Sequence, residues 1–118
     1  MRAIGDVFEQ RACAELERAG LKLLARGYNT RFGELDLVMR DGDTIVFVEV
    51  RYRKHAAHGS AAESVTLSKR TKLVKAAELW LAEHPKHSHS SCRFDVITFD
   101  GPQASARASW LRGAFDAQ

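Results

Sequence analysis

Two carboxylates sit where a folded chain ordinarily places hydrocarbon. Asp36 lies inside the alternating stretch 31–40, and Glu49 lies inside 44–52, the most hydrophobic segment of the sequence. A buried, unpaired carboxylate costs several kcal/mol, so something must pair each one or coordinate it. The two segments are joined by Asp41-Gly42-Asp43, a hairpin signal, which makes them neighbouring antiparallel strands. Period-two alternation then puts Glu34 with Asp36 on one strand face and Glu49 with Arg51 on the other strand's. If register joins those faces, three carboxylates and a guanidinium converge. Carboxylates clustered with few histidines or thiols suit a hard cation such as Mg²⁺ or Mn²⁺, and the carbonyl of Val50 adds a further oxygen donor. An internal salt bridge from Glu49 to Arg51 or Arg53, with Asp36 at a strand end, satisfies the same charges without a metal.

The elements that must position these residues follow from periodicity. Residues 4–19 read as a helix, with Ile4, Val7/Phe8, Arg11/Ala12 and Glu15/Leu16 recurring at spacings of three and four before Gly20. Residues 21–28 form an edge strand. In 31–40, Leu35, Leu37 and Met39 share one face, and Glu34, Asp36 and Val38 the other. The run 44–52 is nearly all Val, Ile and Phe, which predicts a central strand buried on both faces. A loop follows over 53–66. Residues 68–84 form a second helix, with Leu73, Ala76/Ala77, Trp80 and Leu81 as its apolar stripe. Residues 93–99 read as another strand, and Trp110, Leu111 and Phe115 of the tail are expected to dock on the core. The order α-β-β-β-α-β is that of an α/β protein with a central mixed sheet flanked by helices.

With 118 residues, 45% hydrophobic and 28% charged, the chain suits one domain spanning 1–118 and excludes disorder as its main state. The net charge is only +3, yet residues 51–75 hold seven basic side chains against the single acid Glu63. That block, with Arg51, Arg53, Lys54, Lys69, Arg70, Lys72 and Lys75, is either a polyanion-facing surface or a solvated helix face and loop. No apolar run approaches a membrane span and no signal peptide is visible, so a cytoplasmic protein with no membrane partner is expected. Cys13 and Cys92 read as reduced thiols.

Gly33-Glu34-Leu35-Asp36-Leu37-Val38, then Val48-Glu49-Val50-Arg51 with Glu49 thirteen residues after Asp36, resembles the PD-(D/E)XK nuclease signature. Gly5 with Glu9, Arg31-Phe32-Gly33-Glu34, Phe47-Val48-Glu49-Val50-Arg51, Lys69 with Lys72-Leu73, Arg93-Phe94-Asp95-Val96 and Ala114-Phe115 together resemble the YraN-like family of small bacterial proteins. That family is distantly similar to archaeal Holliday-junction resolvases. The resemblance implies a restriction-endonuclease-like fold and phosphodiester hydrolysis on a divalent metal. It makes Asp36 and Glu49 metal ligands, Glu9 a third acidic contributor and Arg51 the occupant of the catalytic-lysine position. It also places Lys69 and Lys72 on a DNA-facing helix. Two departures are visible. Leu35 replaces the proline before the aspartate. Arg51 replaces the lysine, and a guanidinium does not deprotonate to act as a base, although it can hold a phosphate bidentately.

The reading is a nucleic-acid-binding protein, with metal-dependent endonuclease activity on structured or branched DNA. Asp36, Glu49 and the Val50 carbonyl would hold the ion, with Glu34 in support and Arg51 stabilising charge. Arg53, Lys54, Lys69, Arg70 and Lys72 would grip flanking phosphates. Cutting two strands symmetrically would favour a homodimer. The alternative is a catalytically silent DNA- or RNA-binding adaptor. His84, His87, His89 and Cys92 match no closed zinc site and read as a solvated loop, while His55 and His58 suit phosphate or solvent better than metal. Trp80 and Trp110 read as core.

Overall fold

The computed structural model describes residues 4–55 and 63–117; His58 lies outside the described residues. Helix α1 (Ile4–Arg18) leads into strands β1 (Lys22–Thr30), β2 (Gly33–Asp41) and β3 (Thr44–Arg53). Helix α2 (Leu67–Glu83) then crosses to β4 (Cys92–Asp100), and β5 (Arg107–Phe115) closes the chain. The sheet order is β1-β2-β3-β4-β5, antiparallel throughout except for the parallel β3–β4 pair that α2 connects. β3, with its apolar run Ile45–Val48, therefore occupies the centre, as that run requires.

One helix packs on each face of the sheet. Phe8, Ala12, Cys13 and Leu16 of α1 bury against Leu37, Met39, Val46, Val48, Ile97 and Phe99. Leu73, Ala76, Ala77 and Trp80 of α2 bury against Leu35, Val38, Ile45, Phe47, Phe94 and Val96. This mixed sheet between two helices is an α/β arrangement compatible with the restriction-endonuclease-like fold. Among the described residues no helix is long and apolar enough to cross a membrane.

Three expectations are corrected by the structure. The tail is a strand: β5 pairs with β4, and its exposed edge character left only a weak pattern, with Trp110 and Phe115 partly buried but Leu111 36% exposed. The alternation of β2 also slips. Leu35 joins Val38 in the α2 cluster, whereas Leu37 and Met39 lie in the α1 cluster, so Asp36 sits at the switch between faces. Finally, α2 starts at Leu67, where the Thr66 hydroxyl caps the helix by accepting the Lys69 N–H at 3.2 Å.

A second buried carboxylate network is structural. Asp95 is fully buried in β4 and accepts from the Arg93 guanidinium, the Trp110 indole and the Gly113 N–H, each at 3.0 Å. These bonds hold β5 at the irregularity in its register beside Phe94 and Val96. Removing the acceptor strips the Trp110 indole and the Gly113 N–H of their partner and leaves the partly buried Arg93 guanidinium with Asp41 alone, at 2.8 Å. Asp95→Ala is therefore expected to lower the unfolding free energy by about 3 kcal/mol, measured by urea titration followed by circular dichroism.

Candidate metal centre

The Gly42-Asp43 turn, with Gly42 at φ +59, sets β2 antiparallel to β3 from Asp41↔Thr44 as far as Leu37↔Val48. Beyond that pair the ladder ends. Asp36 and Glu49 are the next residues on either side of the split. Asp36 Oδ2 accepts the Val50 N–H at 2.8 Å, so a side chain replaces the backbone acceptor that β2 no longer provides. In an extended strand a residue's N–H and C=O leave the same edge, so the Val50 carbonyl faces this gap too.

Two elements, α1 and β2 itself, bring acids to Asp36. One carboxylate oxygen each from Glu9 on α1 and from Glu34 and Asp36 on β2 fall within 4.8 Å of one another. Asn29 of β1 is the register partner of Glu34, and Gly27, at φ +60, lies beside the Glu34 carboxylate, where an added Cβ would meet Oε1 at 3.4 Å. Arg26 of β1 offsets part of the charge, donating to Asp6 at 3.0 Å and lying 3.9 Å from Glu9. Neither Asp6 nor Arg26 was marked out by the sequence, since one sits on a helix and the other on an edge strand with no local pattern linking them.

Glu49 approaches Asp36 from the α2 side. It is 5% exposed, and its Oε2 lies 3.6 Å from both Arg51 Nη1 and Lys69 Nζ. Its Oε1 is buried with no hydrogen-bond partner. The Asp36 carboxyl is pushed up to about 8, first by desolvation, then by the neighbouring Glu49 charge, against the lowering effect of the Val50 N–H. Burial, followed by the charge of Glu34, also raises Glu9. An all-carboxylate donor set, a buried carboxylate oxygen lacking a partner and protons held against like charge all fit a hard divalent cation. Glu9, Glu34, Asp36 and Glu49 are the residues that could hold it.

The basic block divides. Arg53 is committed to a bidentate pair with Asp100, at 2.7 and 2.9 Å. Arg70 donates from Nε to the Val65 carbonyl and lies over the Phe115 ring. Lys54 and Lys72 are exposed, while Lys69 points to Glu49. The histidine-rich loop makes no metal cluster among the described residues: His84 stacks on Trp80 at 4.0 Å and Cys92 is a free thiol.

Residues 8–99 match the family described as uncharacterised protein family UPF0102. The chain is 50% identical over 112 residues to a UPF0102 protein of Stutzerimonas stutzeri, covering 95% of this chain and 93% of the relative. It is 52% identical over 109 residues to one of Pseudomonas fluorescens, covering 92% and 89%. A Vibrio cholerae UPF0102 protein is 50% identical over 111 residues, covering 93% and 89%. The chain belongs to UPF0102. The matched span of the UPF0102 family holds the Glu9, Glu34 and Asp36 cluster and the adjacent Glu49.

The raised Asp36 has a stability consequence with a definite sign. Above its ordinary value of 3.8 the unfolded chain loses a proton that the folded chain keeps to about 8. The contribution is intact below that range and is lost as pH rises through it, by at most about 1.4 kcal/mol per pH unit. Urea unfolding in chelator at pH 5 and pH 8 should show a smaller difference for Asp36→Asn than for the wild type. Equal differences would mean that Asp36 ionises normally.

Proposed function

We propose that the chain binds nucleic acid and acts as a metal-dependent endonuclease on structured or branched DNA, with Mg²⁺ or Mn²⁺ as its cofactor. The observation that carries this reading is the convergence of Glu9, Glu34 and Asp36 at the β2–β3 split, with Glu49 flanked by Arg51 and Lys69. Glu9, Glu34, Asp36 and Glu49, with the Val50 carbonyl, would hold the ion. When bound, such an ion polarises a phosphoryl oxygen and acidifies the attacking water.

The remaining work falls to this chain's own side chains. Arg51 is 38% exposed, so its free guanidinium edge can grip a non-bridging phosphate oxygen while another nitrogen stays near Glu49. Lys69 brings to the same carboxylate an ammonium, a group that exchanges its proton far more readily than a guanidinium does. Lys54 and Lys72 are free to hold flanking phosphates, and Arg70 stands beside them at the start of α2. The adaptor alternative draws on the same pairing: Arg51 already neutralises Glu49, and the strand lacks the lysine of the nuclease signature.

Incubation with linear, single-stranded, flap and four-way DNA, with Mg²⁺ or Mn²⁺ and with chelator, separates the two. Metal-dependent cleavage is expected from the wild type, equal or faster cleavage from Arg51→Lys, and none from Glu49→Gln, with all three folded by circular dichroism. Absence of cleavage from both wild type and Arg51→Lys on every substrate establishes the adaptor. Binding supplies a separate check. On duplex DNA, Lys72→Ala should reduce the log–log salt slope by about 1. Arg53→Ala should leave that slope in place and lower stability instead, because Asp100 loses its partner.

A further inference from the structure

The hairpin joining β1 to β2 is tied by Thr30, whose hydroxyl accepts the N–H groups of Phe32 and Gly33 and donates to the Gly33 carbonyl. Gly33, at φ +147, brings this tip close to α2: an added Cβ would lie 4.0 Å from Lys72 Cβ. The hairpin thereby fixes Phe32 at the mouth of a groove of about 440 Å³, whose other walls are Arg31, Ser68, Thr71, Lys72 and Lys75. The phenyl ring is only partly buried. The Arg31 guanidinium and the Lys75 ammonium stand 4.9 and 5.2 Å from its centroid.

We propose that this groove takes an unpaired nucleotide of the DNA substrate, its base stacked on Phe32 and its phosphate held by the surrounding cations. The inference rests on the nucleic-acid reading above and adds the structural feature that is recognised. A groove for phosphate alone needs no aromatic wall. A paired base inside a duplex has both faces covered by its neighbours, so only an unpaired or splayed base can offer its face to a ring. A cation resting over an exposed ring is the weaker association and gives way to a stacked base while remaining in reach of its phosphate. The Ser68 and Thr71 hydroxyls supply edge contacts that suit any base, which predicts structure selectivity without sequence selectivity.

The groove adjoins the acidic cluster. Phe32 is two residues before Glu34, and Lys72 is one helical turn beyond Lys69, whose ammonium reaches Glu49. A nucleotide stacked on Phe32 would therefore deliver its neighbour's phosphate towards the carboxylates. Junctions, flaps and ends supply such nucleotides, whereas intact duplex does not.

The test uses the full chain in chelator, with fluorescence anisotropy on three labelled DNAs. These are a duplex, that duplex with a single-stranded flap, and the same flap built of abasic nucleotides that keep the phosphates. The wild type is expected to bind the base-bearing flap about tenfold more tightly than the abasic flap. Phe32→Ala should bring that ratio to about one, and Phe32→Tyr should preserve it. Lys72→Ala should weaken both flaps alike. Circular dichroism on each variant confirms folding, and Phe32→Tyr keeps the test open if Phe32→Ala unfolds, since a ratio lost in the tyrosine variant also counts against stacking. A wild-type ratio of one, or a ratio retained in folded Phe32→Ala, overturns the groove assignment while leaving nucleic-acid binding in place. Failure of the wild type to bind any of the three DNAs removes the nucleic-acid reading itself, and this inference with it.

Discussion

The hydrogen bond from the Val50 N–H to Asp36 Oδ2 spans the point at which β2 stops pairing with β3. Two strands that part company leave backbone donors facing each other across a gap, and water or a side chain must meet them. Here a carboxylate does so, and the consequence spreads outward. Asp36 can reach Val50 only by sitting at the switch where β2 changes which face its side chains serve. That places it next to Glu49, the following residue on the other strand. Burial first, and then the Glu49 charge, keep the proton on Asp36 far above the ordinary carboxylate range.

Compensation comes from elements distant in the sequence, and it is partial. Arg26 on the edge strand serves Asp6 and Glu9, while Arg51 and Lys69 serve one oxygen of Glu49 and leave the other unpartnered. Asp95 shows what full satisfaction looks like in the same sheet: equally buried, it receives three donors and pins an edge strand. Asp95 and Glu49 are both single acids inside hydrophobic strands, and the number of donors around them is what sets the fully satisfied carboxylate apart from the candidate site residue. The excess negative charge at the split belongs to no structural requirement of the sheet, and it weakens the fold that carries it.

Much of this was legible in the sequence, for identifiable reasons. β3 declared itself central because the apolar run Ile45–Val48, resumed at Val50, suits a doubly covered strand, and Asp41-Gly42-Asp43 fixed its partner. The slip in β2 was not legible, because Leu35, Leu37 and Met39 alternate without interruption and the change of face lies in the backbone path. β5 was missed because Arg107–Phe115 is an exposed edge strand whose mixed polarity carries little period-two signal. The basic block was visible as a charge imbalance, yet its division was not. Arg53 meets Asp100 across 47 residues, a pairing that exists only once β3 and β4 lie parallel.

That division bears on the polyanion binding proposed for this sheet. If every cation in the block were solvated, phosphate contact would be diffuse and orientation weak, since backbone contacts position a duplex only when their own geometry is fixed. In this fold the arginines are held by the scaffold: Arg53 by Asp100, Arg70 by the Val65 carbonyl, Arg51 near Glu49. The lysines are left to vary, with Lys54 and Lys72 exposed. The planar, multi-donor guanidinium can join two elements and still present a free edge, whereas the flexible ammonium serves as a point charge that follows its partner. Arginines fixed on β3 and at the start of α2, with exposed lysines beside them, would give the proposed nucleic-acid surface a rigid part and a compliant part.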